Sequence, residues 1–433
     1  MQLPQHTGNR PAGQPGVATA GLPLLSRGTD ERPPIRSLYI HTPFCAHKCH
    51  YCDFYSFVDT RDQQSAFVDR LVSELQALAP MAAGQPLRTV FIGGGTPSLL
   101  RIDLWERLLS EIGGLFNLSM IRSGSPVDVH GLAEFTVECN PESASPELMA
   151  LLRSGGVNRV SIGAQSFHLR HLKTLERWHD PDNVACAVEA ARTAGIPRQS
   201  IDLIFGIPGQ TLEDWNDDLR RALALKTEHL SCYSLTYEPN TAMTRRLAMG
   251  DFEPVAEDLE VEMFRHTVRT LRSAGLDRYE VSNFARPGRG SRHNIAYWLQ
   301  EQWLAAGPSA SGHAWAGAGE RCGSHRWKNV PRLGDYLAGG HGEGFSPIVD
   351  HEPPDPRRLV RERVMTGLRM AAGLDPRSVF AGLPAQDLDA LVAAARSASD
   401  SGWLSVSGEA WRLTDEGYLL ADRVCADLMA CVA

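Results

Sequence analysis

The sequence predicts an α/β protein: a partial, TIM-like (β/α)6 barrel followed by a smaller C-terminal α+β domain of winged-helix type. Three observations carry this. Between residue 36 and about residue 235, six short apolar runs alternate with helix-length amphipathic stretches. Polar residues and glycines (His41, Gly93–Thr96, Glu138–Asn140, Gln165) gather at the carboxyl ends of those runs, the rim where barrels of this kind build their sites. From about residue 357 the pattern changes to helices that lead into a hairpin-like segment.

The expected strands, in order, are Ser37–His41, Arg88–Ile92, Glu134–Glu138, Asn158–Gly163, Ser200–Phe205 and His229–Leu235. Between them the spacing predicts helices over Gln63–Leu78, Leu104–Ile112, Pro146–Ser154, a run through 168–194, and Leu212–Leu225. Ser145-Pro146-Glu147 and Thr211-Leu-Glu-Asp214 are N-cap and first-turn signals. The polar stretch Ser119–Gly131 reads as a surface loop. A long helix over Val255–Ala274 and a strand over Arg278–Ser282 follow. The expected organisation is a disordered tail (1–34), a barrel (35–282), an irregular segment rich in Gly, His and Trp (283–356), and the C-terminal domain (357–433). That last domain carries helices at Leu359–Met370 and Leu388–Ser399, a hairpin at Trp403–Thr414 and a closing helix at Asp415–Leu428. Its ribbon is nearly free of basic residues, so a structural cap fits better than a nucleic-acid reader.

At 433 residues, 43% hydrophobic and 22% charged, the composition is that of a globular chain. A formal charge of −8 without a long basic run gives no reason to expect nucleic acid as a partner. No apolar stretch approaches the ~18 residues that span a bilayer. Nine cysteines, six of them scattered without a repeating spacing, fit reduced thiols and a cytoplasmic location.

The other three form one loop, Cys45-x3-Cys49-x2-Cys52, directly after the first strand. Three thiolates on one loop can hold three corners of an iron–sulfur cube and leave the fourth iron open to a ligand. The same three with His41, His47 or His50 would make a four-ligand zinc set, so zinc stands as an alternative at this point. A second feature, Val90-Phe-Ile-Gly93-Gly94-Gly95-Thr96-Pro97, brings bare backbone to the rim. No G-K-[ST] follows it, so it is not a nucleotide P-loop.

These motifs occur in a meaningful order. Tyr39-Ile-His-Thr-Pro-Phe-Cys45-x3-Cys49-x-Tyr-Cys52-Asp-Phe54, Gly93-Gly-Gly-Thr-Pro97, Glu138-Cys-Asn-Pro141, Ser161-Ile-Gly-Ala-Gln165 and Asp202-Leu-Ile-Phe-Gly-Ile-Pro208 together resemble the radical S-adenosylmethionine (SAM) proteins of the HemN/HemW group, from about residue 36 past residue 300. The resemblance implies that Cys45, Cys49 and Cys52 ligate a 4Fe-4S cluster whose open iron takes the amine and carboxylate of SAM. It implies SAM contacts from Tyr39, Gly94, Gly95, Thr96, Glu138, Gln165, Arg177 and Asp202. Glu138 and Asp202 suit ribose hydroxyls or positive groups, and Arg177 suits the carboxylate. In such proteins an electron from the cluster can cleave the sulfonium to a 5′-deoxyadenosyl radical.

Two activities occur in this group. Oxygen-independent coproporphyrinogen III oxidases resemble C-x3-C-x2-C-x-C, but Phe54 stands where their fourth cysteine falls. They also carry an N-terminal extension with tyrosines, and residues 1–34 contain none. Arg292-His293-Asn294-Ile-Ala-Tyr297-Trp298 instead matches the His-Asn-x-x-Tyr-Trp motif of the heme-chaperone branch. The expectation is therefore a heme chaperone with His293 as iron ligand and Tyr297 and Trp298 as flat apolar surface. Its implied partners are heme, heme-acceptor proteins and an electron donor for the cluster. The oxidase is the alternative, with radical catalysis left open, and a zinc-stabilised binding protein is a third. The chain departs from the group after Trp303: Ser311 occupies the place of a usual histidine, and His313 follows two residues later.

Overall fold

The computed structural model describes residues 33–129, 131–317, 323–339, 344–407 and 409–432. The tail expected at 1–34 falls almost wholly outside the described residues, as does Cys322. The first half runs β1 (Ser37–Thr42), the short pair β2 (Phe44–Cys45) and β3 (Phe57–Val58), α1 (Gln64–Leu78), β4 (Thr89–Gly94) and α2 (Ile102–Leu115). Next come α3 (Ser119–Ser123), β5 (Pro126–Asp128), β6 (Gly131–Leu132), β7 (Glu134–Cys139), α4 (Pro146–Ser154), β8 (Arg159–Gln165), α5 (Leu169–Thr174) and α6 (Asn183–Thr193). Then follow β9 (Arg198–Phe205), α7 (Leu212–Ala224), β10 (His229–Ser234), α8 (Ala242–Ala248) and α9 (Glu257–Ser273). The later part runs β11 (Asp277–Arg278), β12 (Asn283–Ala285), α10 (Arg292–Trp298), β13 (Leu304–Ala306), β14 (Ser311–Trp315), β15 (Ser324–Asn329), α11 (Leu333–Ala338) and β16 (Ile348–Glu352). The chain ends in α12 (Pro356–Arg369), α13 (Pro376–Val379), α14 (Ala385–Asp400), β17 (Leu404–Ser407), β18 (Ala410–Leu413), α15 (Asp415–Leu419) and α16 (Ala421–Met429).

All six expected barrel strands form, parallel and adjacent, in one nine-stranded sheet of order β11-β12-β10-β9-β8-β7-β4-β1-β13. Alternation explains what the sheet does with its two faces. Leu38, Ile40, Val90, Ile92, Val137, Val160, Ile162, Ile201 and Leu203 join the large core under the helices. The intervening Tyr39, His41, Phe91, Glu138, Ser161 and Asp202 line the concave side, as the Tyr39–His41 and Ser161–Asp202 hydrogen bonds attest. Helices start where the sequence caps them: Ser145 Oγ accepts from Leu148 N, and Thr211 with Asp214 closes a full capping box.

Several expectations are corrected. Residues 283–356 are not irregular. β13 pairs in parallel with β1 (Leu38↔Leu304, Ile40↔Ala306) and so extends the sheet beyond its first strand. β14, β15 and β16 form a separate antiparallel sheet, held to α1 by Glu74, which accepts from Tyr336 Oη (2.7 Å), Asn329 Nδ2 (2.8 Å) and Gly307 N (2.9 Å). The expected strand at 278–282 is a tight antiparallel turn between β11 and β12. The polar 119–131 stretch holds α3 and a small hairpin, and the 168–194 run is two helices, broken between Thr174 and Asn183.

The C-terminal helices and the β17–β18 ribbon have their own core, shared with Val281, Ile295 and Trp298 from the barrel side. Ala371 N donates to Tyr279 O (2.9 Å), so this unit docks on the exposed β11 edge of the open barrel. No helix among the described residues is long and apolar enough to cross a membrane.

Candidate functional site

The cysteine loop rises from the carboxyl end of β1. Its limbs are tied by the β2–β3 pair and by Phe57 N donating to Pro43 O (2.9 Å). Cys45, Cys49 and Cys52 are free and half-buried. The Thr96 hydroxyl lies 3.7 Å from Cys45 Sγ and an Arg177 N–H 3.8 Å from Cys49 Sγ. Burial pushes the Cys52 thiol up to about 11. Among the described residues, no three His, Cys, Asp or Glu side chains converge closely enough to hold a single ion. His41, one of the candidate zinc ligands, is engaged by Tyr55 and Tyr39. A cube needs no such convergence, because each corner iron takes its own thiolate.

The glycine run folds directly beneath this loop. Gly95 N donates to Thr42 O and Thr96 N to Phe44 O, both 2.7 Å. A Cβ on Gly95 would stand 2.6 Å from Phe44 O, and one on Gly93 would stand 2.7 Å from Glu138 Oε2. Gly94 has φ +107° and presses on the His41 ring. Only glycine permits these approaches. Glu138 accepts from Gly94 N (3.1 Å), and burial with the charge of Asp202 pushes its carboxyl up to about 7. Burial also raises Asp202, although Ser231, Arg159 and Ser161 counter it; Ser161 Oγ donates to its carboxylate at 3.0–3.1 Å. Arg177 reaches the same rim and donates to Gly163 O (2.6 Å). Gln165 is held at φ +63° beside a register shift at Gly163/Gln165, a bulge that re-aims its side chain. The structure thus brings Tyr39, Gly94, Gly95, Thr96, Glu138, Gln165, Arg177 and Asp202 to one rim around the three cysteines.

The heme-motif residues lie elsewhere and separate. α10 sits at the amino ends of the strands. Glu134, the first residue of β7, accepts from Ser291 Oγ and from the Arg292 and His293 amides (3.0 Å each), and pairs with Arg198 (2.6 Å). Burial opposes ionisation of Glu134, but Arg198, Arg159 and the two amides hold it down to about 2. His293 is fully buried with both ring nitrogens engaged, by Thr89 Oγ1 and Tyr297 Oη at 2.8 Å each. Its ring lies against Phe91 and Tyr39, and burial lowers its pKa to about 3. Tyr297 meets the His293 ring edge-on and leads, tilted, to Trp303 (4.4 Å between ring centres). Trp298 does not join them: it packs into the C-terminal core.

With this geometry in view, comparison with known proteins is decisive. The sequence profile of the Radical SAM superfamily matches residues 39–222 and that of the HemN C-terminal domain matches residues 355–420. A Bacillus subtilis protein named heme chaperone HemW is 33% identical over 391 residues, 90% of this chain and 98% of its own. The chain belongs to the HemW family of radical SAM proteins. A Lactococcus lactis heme chaperone HemW is 36% identical over 338 residues, covering 78% of this chain and 82% of that one. Among solved structures, Escherichia coli HemN, a coproporphyrinogen III oxidase described as a radical SAM enzyme, superposes with a TM-score of 0.75 at 25% identity, covering 94% of this chain and 92% of its own.

Membership in the HemW family gives the rim its expected cofactors, and the residues present fit them: three free thiols on one loop, a glycine cradle that a Cβ would fill, and a half-buried carboxylate with a single hydrogen-bond partner among the described residues. Of two further residues of this rim, sequence reasoning places His41 at the strand end and among the zinc candidates but gives it no bracing role, and it misses Tyr51. His41 Nε2 donates to Tyr55 O (2.8 Å) and its Nδ1 accepts from Tyr39 Oη (3.0 Å), so the ring braces the cysteine loop. Tyr51, inside the loop, is half-buried, with Cys49, Arg177, Cys52 and Asp202 as its charged neighbours. Their position within the Tyr-x-His and Cys-x-Tyr-Cys segments was the available signal.

Proposed function

We propose that this protein is a heme chaperone that carries a 4Fe-4S cluster on Cys45, Cys49 and Cys52, binds SAM on the adjoining rim, and delivers heme to acceptor proteins in the cytoplasm. One observation carries the reading. The chain aligns along 90% of its length with a relative named heme chaperone, and Phe54, half exposed beside the loop, fills the place of the oxidases' fourth cysteine.

When bound, the cluster and SAM supply one-electron chemistry. The chain's part is to hold them: the thiolates take three irons, and the Gly93–Thr96 backbone offers a close, unobstructed surface. Glu138 and Asp202 serve hydroxyl or cationic groups, and Arg177 serves a carboxylate. His293 and Tyr297 mark the heme region, where His293 would coordinate iron only after giving up Thr89 or Tyr297; Trp298, packed into the C-terminal core, is not part of it.

Anaerobic reconstitution tests the cluster. About four irons per chain with broad visible absorbance are expected. The Cys45→Ala/Cys49→Ala/Cys52→Ala protein should take up none, whereas Cys186→Ala should match wild type. Stoichiometric zinc without iron would end this reading. Hemin titration tests uptake through growth of a Soret band. The similarity to E. coli HemN favours a second reading, the oxidase. Formation of protoporphyrinogen IX from coproporphyrinogen III, SAM and a reductant without oxygen would establish it instead.

A further inference from the structure

We propose that the face formed by α5, the turn after it that carries Trp178, and the outer side of the cysteine loop is where an acidic one-electron carrier protein docks to reduce the cluster. This rests on the reading that Cys45, Cys49 and Cys52 hold a 4Fe-4S cluster. The loop has two sides. Inward, Thr96 and the glycine run lie against Cys45 and its neighbours. Outward, α5 and α8 hold it: His50 N donates to Leu175 O (3.3 Å), Met243 N to His50 O (2.8 Å), and an Arg177 N–H points at Cys49 Sγ (3.8 Å). The glycine side is the one that SAM would occupy, which leaves the α5 side to a protein that brings electrons.

That outer side carries an apolar feature with no part in the core. Trp178 is 70% exposed, yet its ring stacks on His47, between Cys45 and Cys49, with centres 3.8 Å apart. Leu169, also 70% exposed, lines a cleft of about 290 Å³ together with Trp178, Lys173 and Arg177. Arg177 thus reaches both the cleft and a cluster thiol. A large aromatic that leaves most of its surface in water adds little to folding, and Trp in such a place is a preferred anchor for a partner. A patch this small suits a brief redox encounter and not a permanent interface.

The charge around the patch selects the partner. The chain as a whole has a formal charge of −8. Residues 45–58, 169–178 and 242–248 nevertheless hold six cations, Lys48, Arg170, Lys173, Arg177, Arg245 and Arg246, against two acids, Asp53 and Glu176. Asp214 takes up Arg170, and Asp251 takes up Arg246. Lys48 donates to Phe54 O and Ser56 Oγ, Lys173 is exposed, and Arg245 adds its charge beside His50. A positive, apolar-centred patch on an acidic chain steers an acidic carrier to this face and repels it elsewhere. In the step itself the reduced carrier loses one electron, the oxidised cluster gains it, and no atom or proton changes hands.

The test uses the full reconstituted chain, with a small acidic flavodoxin in its hydroquinone form as the carrier. Bleaching of the cluster's visible absorbance is followed by anaerobic stopped flow, with dithionite as a small reductant in parallel. The wild-type rate with flavodoxin should fall steeply as salt is raised. Lys173→Glu/Arg245→Glu should be reduced at least about tenfold more slowly at low salt, with a flattened salt dependence. Trp178→Ala should weaken the complex by about tenfold and keep the salt dependence. Iron content and the dithionite rate should stay at wild type in both, which separates docking from damage to the loop. Carbodiimide coupling reads contact without turnover: of the chain's four lysines, Lys48 and Lys173 should join to flavodoxin carboxylates, and Lys226 and Lys328 should not. Coupling only at Lys226 or Lys328, or only between two copies of this chain, would overturn the proposal, as would a charge-reversed variant reduced at the wild-type rate. So would a wild-type cluster that dithionite bleaches and flavodoxin does not. A chain that takes up no iron removes the cluster reading itself, and the docking face with it.

Discussion

The two ends of the barrel treat their polar groups in opposite ways. At the carboxyl rim, Glu138 has a single protein hydrogen bond and the cysteine thiols only long contacts. At the amino end, Glu134 gathers Ser291, Arg198 and two amides of α10, and His293 has both nitrogens filled. The rim groups are half-buried and the amino-end groups fully buried, so the two ends differ in exposure as well as in pairing. A half-buried carboxylate with open hydrogen-bonding capacity is available to a ligand, and the buried Glu134 and His293, with their capacity filled, close the fold.

The sharpest way to break this contrast is to remove each carboxylate. Glu134→Ala strands Arg198 and uncaps α10, and should cost about 3–5 kcal/mol of stability, read by chemical denaturation. Glu138→Ala should leave stability near wild type and act on SAM binding instead. Equal losses in the two variants would erase the distinction between the ends. A smaller effect is expected for Gly94→Ala. Its Cβ would stand 2.5 Å from the His41 ring at φ +107°, so roughly 1–3 kcal/mol should be lost, together with cluster retention during gel filtration. The smallest effect is a pH dependence. Glu138 is protonated below about 7 in the free protein, and a cationic ligand prefers the carboxylate. SAM affinity should therefore rise with pH through about 7, by at most about tenfold per unit, and flatten above it. By calorimetry, Glu138→Gln should show a flat profile. The same raised carboxyl makes the fold itself lose stability as pH rises from about 4.5 through 7, since the folded state then binds more protons than the unfolded one.

Much of the rim was legible because its motifs sit at the ends of strands that apolar runs announce. Glu138 and Gln165 fall where β7 and β8 stop, and Asp202 faces the lumen by alternation. The sequence was opaque where an element exists only because of a distant partner. β13 is three residues, Leu304-Ala-Ala, with no pattern of its own; it is a strand because β1 offers it an unpaired edge. The Gln165 bulge depends on pairing with β9. Trp298 misled for a simpler reason: adjacent residues on a helix point about 100° apart, so Tyr297 faces the barrel while its neighbour faces the C-terminal core. Likewise, the state of His293's two nitrogens depends on the hydroxyls of Thr89 and Tyr297, which no motif displays.

The β1–β13 pairing has a temporal consequence. β1 and the cysteine loop leave the ribosome early, yet one wall of their support comes more than two hundred residues later. Gly307, φ +95°, seats against the His41 carbonyl, and its amide is tied to Glu74. Contacts so far apart in the chain form late. During synthesis the three thiols therefore wait on an unfinished support, and metal insertion belongs to the completed chain: a truncation before residue 304 should emerge with its cysteines intact and its cluster labile.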